Sequence, residues 1–261
     1  MITKNYLLMK KQSKPKYKTH LSPSAFKGLQ ECSARQIAYD LGEFEKEDSK
    51  AMLVGKYVDS YFAGTLEKFK AETPQLFTNK GELYAEFKHA EDIIKVIEKD
   101  KLLHKYVKGE VLQYEIEGEI GGAKFKGVFD SLYHNKLIAD LKIIEDLYKR
   151  FWSDRDKMFV LWFEHWGYDR QMAIYQELYF QQTGVRVPVF LAAITKQKPP
   201  DKAIIQIPNE RMELLIDEVK EKAKGLLEIR MGKKPAVRCE KCEYCRSTKM
   251  LRETITVFDL M

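Results

Sequence analysis

Gly127-Val128-Phe129-Asp130-Ser131-Leu132-Tyr133-His134-Asn135-Lys136-Leu137-Ile138-Ala139-Asp140-Leu141-Lys142 is the stretch from which the fold is read. Apolar residues crowd both of its ends, and His134-Asn135 lies between them. The segment therefore reads as two strands, over residues 125–132 and 137–144, joined by a turn. On a strand, residues two apart face the same side. Asp140 and Lys142 project together, while Leu141 points away from them into a core. A hairpin partner strand brings Asp130 alongside the pair.

Two converging carboxylates suit a hard cation such as Mg²⁺ or Mn²⁺, which prefers oxygen ligands, and the Leu141 carbonyl is a candidate further oxygen. Such a cation polarises a phosphate and lowers the pKa of a bound water. Lys142 is placed to orient that water or to stabilise charge developing on phosphorus. An Asp-x-Lys triplet by itself is equally a solvated strand face. The Gly-x-x-Asp one hairpin upstream gives the metal reading its weight.

Working outward, residues 111–116 read as a preceding strand and Gly121-Gly122 as a hairpin turn. Upstream the period is helical: Ser22-Pro23 is a cap and first-turn pair opening one helix, and residues 49–69 and 86–101 form two more. Downstream come a helix over 168–183, a strand over 185–194, a loop over 196–201, a short strand at 203–205 and a long amphipathic helix over 210–231. Helices, then a β-meander, then helix and strand predict an α/β fold.

The helix over 168–183 carries Gln171 and Tyr175 four residues apart on one face. Gly-x-x-Asp, then Asp-x-Lys, then Gln-x-x-x-Tyr on a helix resembles the RecB-type nucleases of the PD-(D/E)xK superfamily, including the RecE-like phage exonucleases. The resemblance implies a restriction-endonuclease-like core, a central mixed β-sheet flanked by helices. It also implies a metal-dependent DNA exonuclease serving phage-type recombination or repair, with Gln171 and Tyr175 beside the metal. Such enzymes are often paired with a strand-annealing protein, and some relatives form rings. Ser22 to Lys27, followed by Val54-Gly55-Lys56-Tyr57-Val58-Asp59, resembles the opening of RecE-like domains. There the family often has histidine where this chain has Asp59. Asp59 is then a third metal ligand or a helix-surface residue.

Cys239-x-x-Cys242-x-x-Cys245 is a second signal, since thiolates at this spacing suit zinc or an iron–sulfur cluster. Cys32 is the one other cysteine. One early cysteine with three late ones resembles AddB-type and CRISPR-associated nucleases of the same superfamily, which implies a [4Fe–4S] cluster clasping the chain ends. Zinc and unligated thiols are the alternatives.

Lys149, Arg150, Arg155, Lys157 and Arg170, interleaved with Tyr148, Phe151, Trp152, Phe159 and Trp162, suit phosphate neutralisation and base stacking. The plainer reading makes the aromatics core and the charges rim. The 45 Lys and Arg exceed the 39 Asp and Glu by 6, a mild excess compatible with a polyanionic partner. No apolar run approaches the roughly 20 residues that span a bilayer, and the Lys-rich start lacks the apolar segment of a signal peptide, so the expected location is cytoplasmic. The expected organisation is a basic arm over 1–20, a nuclease domain over 21–246 with its cysteine knuckle at 237–246, and a tail over 247–261. A non-catalytic nucleic-acid-binding module, a zinc-knuckle interaction protein and a CRISPR-adaptation-type nuclease are the rival readings.

Overall fold

The computed structural model describes residues 18–251 and 253–260. Most of the expected basic arm lies outside the described residues. Leu21 forms a single parallel bridge to Phe125.

The chain opens with helices α1 (Pro23–Leu41), α2 (Lys50–Phe62), α3 (Leu66–Glu72), α4 (His89–Lys99) and α5 (Lys101–Lys108). Strands β1 (Val111–Ile120), β2 (Ala123–Tyr133), β3 (Leu137–Ile144), β4 (Arg150–Ser153) and β5 (Met158–Leu161) follow. Then come α6 (Trp162–His165), α7 (Tyr168–Thr183), β6 (Val189–Thr195), β7 (Lys202–Ile207), α8 (Asn209–Arg230) and α9 (Glu243–Ser247). Five strands form a mixed sheet in the order β1-β2-β3-β6-β7. The β3–β6 pair is parallel and the others are antiparallel. One sheet face is covered by α1, α7 and α8 through Phe26, Phe129, Ile174 and Val219. The other is covered by α2, α4 and α5 through Val58, Ile94, Val107 and Leu141. This is an α/β sandwich around a central mixed sheet, as expected. Among the described residues no helix is long and apolar enough to cross a membrane.

Several expected elements differ, each for a local reason. The helix expected over 49–69 is two, because Gly64 adopts φ +73° and turns the chain between α2 and α3. The helix expected over 86–101 also divides. Asp100 leaves helical geometry and its carboxylate caps α5, accepting from the Leu102 and Leu103 N–H groups at 3.1 and 3.0 Å. The strand expected from residue 185 begins at Val189, after Pro188. The short strand expected at 203–205 runs over Lys202–Ile207. The segment after β3 contains a hairpin of its own, β4–β5, outside the main sheet. At Gly121-Gly122 both residues have positive φ, +57° and +72°, the hairpin geometry their sequence announces.

Candidate functional site

The site forms where β2 and β3 separate. Their pairing runs from Tyr133↔Leu137 to Ser131↔Ala139 and stops one step before Asp130 would face Asp140. Beyond that point a side chain replaces the ladder: Asp130 Oδ2 accepts from the Leu141 backbone N–H at 3.0 Å. On its other side Asp130 stands opposite Gln113, the position where β1–β2 pairing lapses between Leu112↔Ser131 and Tyr114↔Phe129. Gln113 has φ +50°, an uncommon conformation for a non-glycine residue in a strand, and its Nε2 donates to Asp130 Oδ1 at 3.4 Å. Phe129 and Leu132, three residues apart, both enter the same core. The strand therefore swaps faces at Asp130–Ser131. Nothing in the residues around Gln113 signals this, and the sequence reading did not include it.

Asp140 is 2% exposed. One of its oxygens accepts from Gln171 Nε2 at 3.0 Å, and the other is ion-paired with the Lys142 ammonium. The same Gln171 nitrogen donates to the Tyr175 hydroxyl at 3.0 Å. Residues 171 and 175 share the α7 face packed on the sheet, so the i, i+4 spacing delivers both to the strand end. Tyr175 can lie there because of Gly127: a Cβ at that position would sit 2.7 Å from Tyr175 Cε1. The glycine of Gly-x-x-Asp thus makes room for the tyrosine of Gln-x-x-x-Tyr. The Lys142 ammonium also lies 4.4 Å from the centre of the Tyr168 ring, a cation–π contact that the sequence reading missed.

The electrostatics are those of crowded carboxylates around one cation. Burial raises the Asp130 pKa well above the ordinary carboxylate range, and Asp140 adds to it against the pull of Lys142. Asp59, on α2, is raised to about 7, by burial first and then by Asp140, with Lys142 opposing. The residue as a whole is nonetheless exposed to solvent, at the mouth of the site. Burial alone would lower Lys142, but Asp140 and Asp130 outweigh it and raise the ammonium above the usual lysine value. Tyr175 is raised by burial and then by Asp140.

A cavity of about 20 Å³ lies between Asp59, Gln113, Asp130 and Leu141. That is room for one water or small ion. Two carboxylates, Asp59 and Asp130, line this space with Gln113 and Leu141, oxygen donors of the kind hard divalent cations take, and Asp140 stands outside its lining. Lys142 is the cation paired with Asp140.

The four cysteines come together at the middle of α1, around Cys32. All are free thiols, and their sulfurs lie within 4.8 Å of one another. Among the described residues no other group of three or more His, Cys, Asp or Glu gathers its ligand atoms so closely. Burial opposes ionisation of Cys239, but the Lys241 and Cys242 N–H groups overcome it and lower the thiol to about 6. Cys242 is pushed up to about 12, chiefly by burial.

The expected nucleic-acid segment divides. Trp162 is 2% exposed and donates from Nε1 to the Leu147 carbonyl at 3.1 Å, so it belongs to the core. Arg170 is tied to Gln30 and lies over the Phe26 ring. Arg155 is engaged by Glu218 and Asp156. Phe151 is half-buried and stacks on His165 at 4.6 Å. Tyr148, Trp152 and Phe159 are exposed, the last two as a cross-strand pair at 5.4 Å. Arg150 and Lys157 are exposed beside them, and Lys149 is paired with Glu145.

The family described as a PDDEXK-like domain of unknown function (DUF3799) matches residues 22–248. A candidate exonuclease from Eubacterium rectale, known as a crystal structure, is 37% identical, with a TM-score of 0.86 over 93% of this chain and 92% of that one. The solved structure of SSO0001, at 16% identity, has a TM-score of 0.28 over 77% of this chain and 85% of that one, too distant to bear on the fold. No curated protein matches the chain.

Proposed function

The chain belongs to the PDDEXK-like family, and on that premise we propose that it is a divalent-metal-dependent nuclease hydrolysing DNA from its ends. The observation that carries this reading is the convergence of Asp130, Asp140 and Lys142 where β2 and β3 part, with Asp59 on a cavity that Asp130 also lines. The exonuclease designation of the Eubacterium rectale relative supports the end preference.

Asp59, Asp130 and Asp140, with the Leu141 carbonyl, would hold Mg²⁺ or Mn²⁺. When bound, the cation supplies charge against the phosphate oxygens and lowers the pKa of a water. Lys142, held protonated by its carboxylate neighbours, orients the attacking water and offsets negative charge growing at phosphorus. Gln171 fixes the Asp140 carboxylate, and Tyr175 fixes Gln171 in turn. The Tyr168 ring limits where the Lys142 ammonium can move. Tyr148, Trp152 and Phe159 offer faces for unpaired bases, with Lys149, Arg150 and Lys157 near the backbone. A role in phage-type recombination or repair in the cytoplasm, beside a strand-annealing protein and as a homo-oligomer, extends the proposal along the RecE-like resemblance.

Digestion of end-labelled linear and closed circular DNA with Mg²⁺, comparing wild type and Lys142→Ala, tests it. Degradation of linear DNA only, reduced on the order of 10²- to 10³-fold in the variant, is the expected result. Nicked circles would replace the end preference with internal cutting. Equal inertness of both proteins, with DNA binding retained, would leave a non-catalytic binding module.

A further inference from the structure

We infer that Cys32, Cys239, Cys242 and Cys245 hold a single tetrahedral metal ion of the zinc class, which fastens a break in α1 to the C-terminal segment. The first support is distance. Zn–S bonds are about 2.3 Å, so two thiolates on one tetrahedral ion sit about 3.8 Å apart. Cys32 and Cys245 sulfurs are 3.6 Å apart, and those of Cys239 and Cys245 are 4.0 Å apart. A four-iron cluster puts a different iron behind each thiolate, with sulfide between the irons, and so spreads the sulfurs farther. The two-residue spacings serve either centre, so the distances decide.

The second support is the backbone. α1 loses helical geometry at Cys32, with φ −163° and ψ 97°. Where that break interrupts the helical ladder, residue 237 enters it: the Ala34 N–H donates to the Val237 carbonyl at 3.1 Å. Ser33 Oγ donates to the same carbonyl at 3.2 Å and accepts from the Val237 N–H at 2.7 Å. Val237 lies two residues before Cys239. Further contacts follow the same line, with Tyr39 donating to Glu243 at 3.0 Å and Phe44 meeting the Tyr244 ring edge-on at 5.4 Å. Cys32 and Cys245 are buried, although no disulfide joins any of the four. A helix opened to receive a distant segment, with four reduced thiols gathered at the opening, is the architecture of a metal staple.

The staple also reaches toward the carboxylates. Gln30, two residues before Cys32, is bonded to Arg170, the neighbour of Gln171. Its amide nitrogen donates to Glu218 of α8 at 3.4 Å. The inference is independent of the nuclease reading, and each can fail alone.

The test is elemental analysis of the full chain, purified without chelator and under reducing, oxygen-free conditions, with acid-labile sulfide measured on the same sample. One zinc-class ion per chain and no sulfide is the expected result. Several irons with matching sulfide, or no metal at all, would overturn it. Titration of the metal-stripped chain with Co²⁺ gives a second reading: a tetrahedral thiolate spectrum saturating at one equivalent supports the single ion, and its absence opposes it. Cys245→Ser and, separately, Cys239→Ser should lose the ion and lower Tm by roughly 10 °C or more. Unchanged metal content in both variants would remove these residues from the site.

Discussion

The carboxylate centre and the cysteine centre each crowd like ligands into a small volume, and they differ in what balances the crowd. At the first, two of the carboxylates are met by the protein: Leu141 N–H and Gln113 at Asp130, Gln171 and Lys142 at Asp140. At the second, the thiols face chiefly one another, and Cys239 is held low enough to ionise near neutrality. One ammonium set against three carboxyl groups leaves the first centre short of positive charge, a deficit that a divalent ion arriving with substrate would meet. The second is incomplete without one and suits an ion that stays. On this comparison, metal loss stops activity at one end of the molecule and loosens the fold at the other.

The sharpest way to break the comparison is to remove the cation built into the first centre. Lys142→Met leaves the Asp140 carboxylate 2% exposed with no counter-charge. Leaving one partner of a buried ion pair alone costs about 3–5 kcal/mol. For a chain of this size that lowers Tm by roughly 6–15 °C in metal-free buffer. Saturating Mg²⁺ should recover part of the loss, because a divalent ion can stand where the ammonium stood. Thermal melts of wild type and variant with and without Mg²⁺ decide it. An identical deficit in both buffers would mean that Lys142 is not substituting for a cation.

A smaller effect tests why the carboxylate centre is read so directly from sequence. Gly127→Ala puts a methyl group 2.7 Å from Tyr175 Cε1, a contact that forces the ring or the strand to shift. Overpacking of this kind typically costs about 1–3 kcal/mol. Because Tyr175 accepts from the nitrogen that holds Asp140, activity should fall further than stability alone explains. Urea melts beside kcat for linear DNA separate the two. A variant with wild-type kcat would show that the ring can move without disturbing Gln171.

Gly127 also marks the limit of what the chain discloses. Its place in Gly-x-x-Asp is legible, but its reason lies 48 residues away at Tyr175, and only the fold joins them. Asp140, Lys142, Gln171 and Tyr175 were legible because strand and helix periods fix which residues share a face. Gln113 was not, since its φ of +50° answers to the parting strands and to no local glycine. Gly64 and Asp100 carry turn and cap signals, yet apolar periodicity running past both hid two helix breaks. Trp162 was read in one basic and aromatic stretch with Trp152 and Phe159. Composition alone could not tell a core indole from the exposed Trp152 and Phe159 of the hairpin before it. The cysteines were legible as a set, while the opened turn of α1 that receives residue 237 was not.

The smallest expected effect concerns Asp59 and fixes the sign of the carboxylate centre's own instability. Its carboxyl is raised to about 7 in the fold, against an ordinary value of 3.8. The folded chain therefore holds this proton more tightly than the unfolded chain across that window, and stability from this group falls as pH rises from about 4 to about 7. Above about 7 the penalty is fully present, and below 3.8 it is absent. Because solvent reaches the side chain, screening keeps the effect under about 1 kcal/mol. In metal-free buffer Asp59→Asn should then raise Tm at pH 8 by roughly 2 °C, with no difference at pH 4. With Mg²⁺ at pH 8 the order should reverse, since the variant has one fewer anionic ligand for the ion to stabilise. An asparagine variant already less stable than wild type at pH 8 without metal would mean that Asp59 is held by favourable contacts. The carboxylate centre would then be as dependent on a fixed partner as the cysteine centre is.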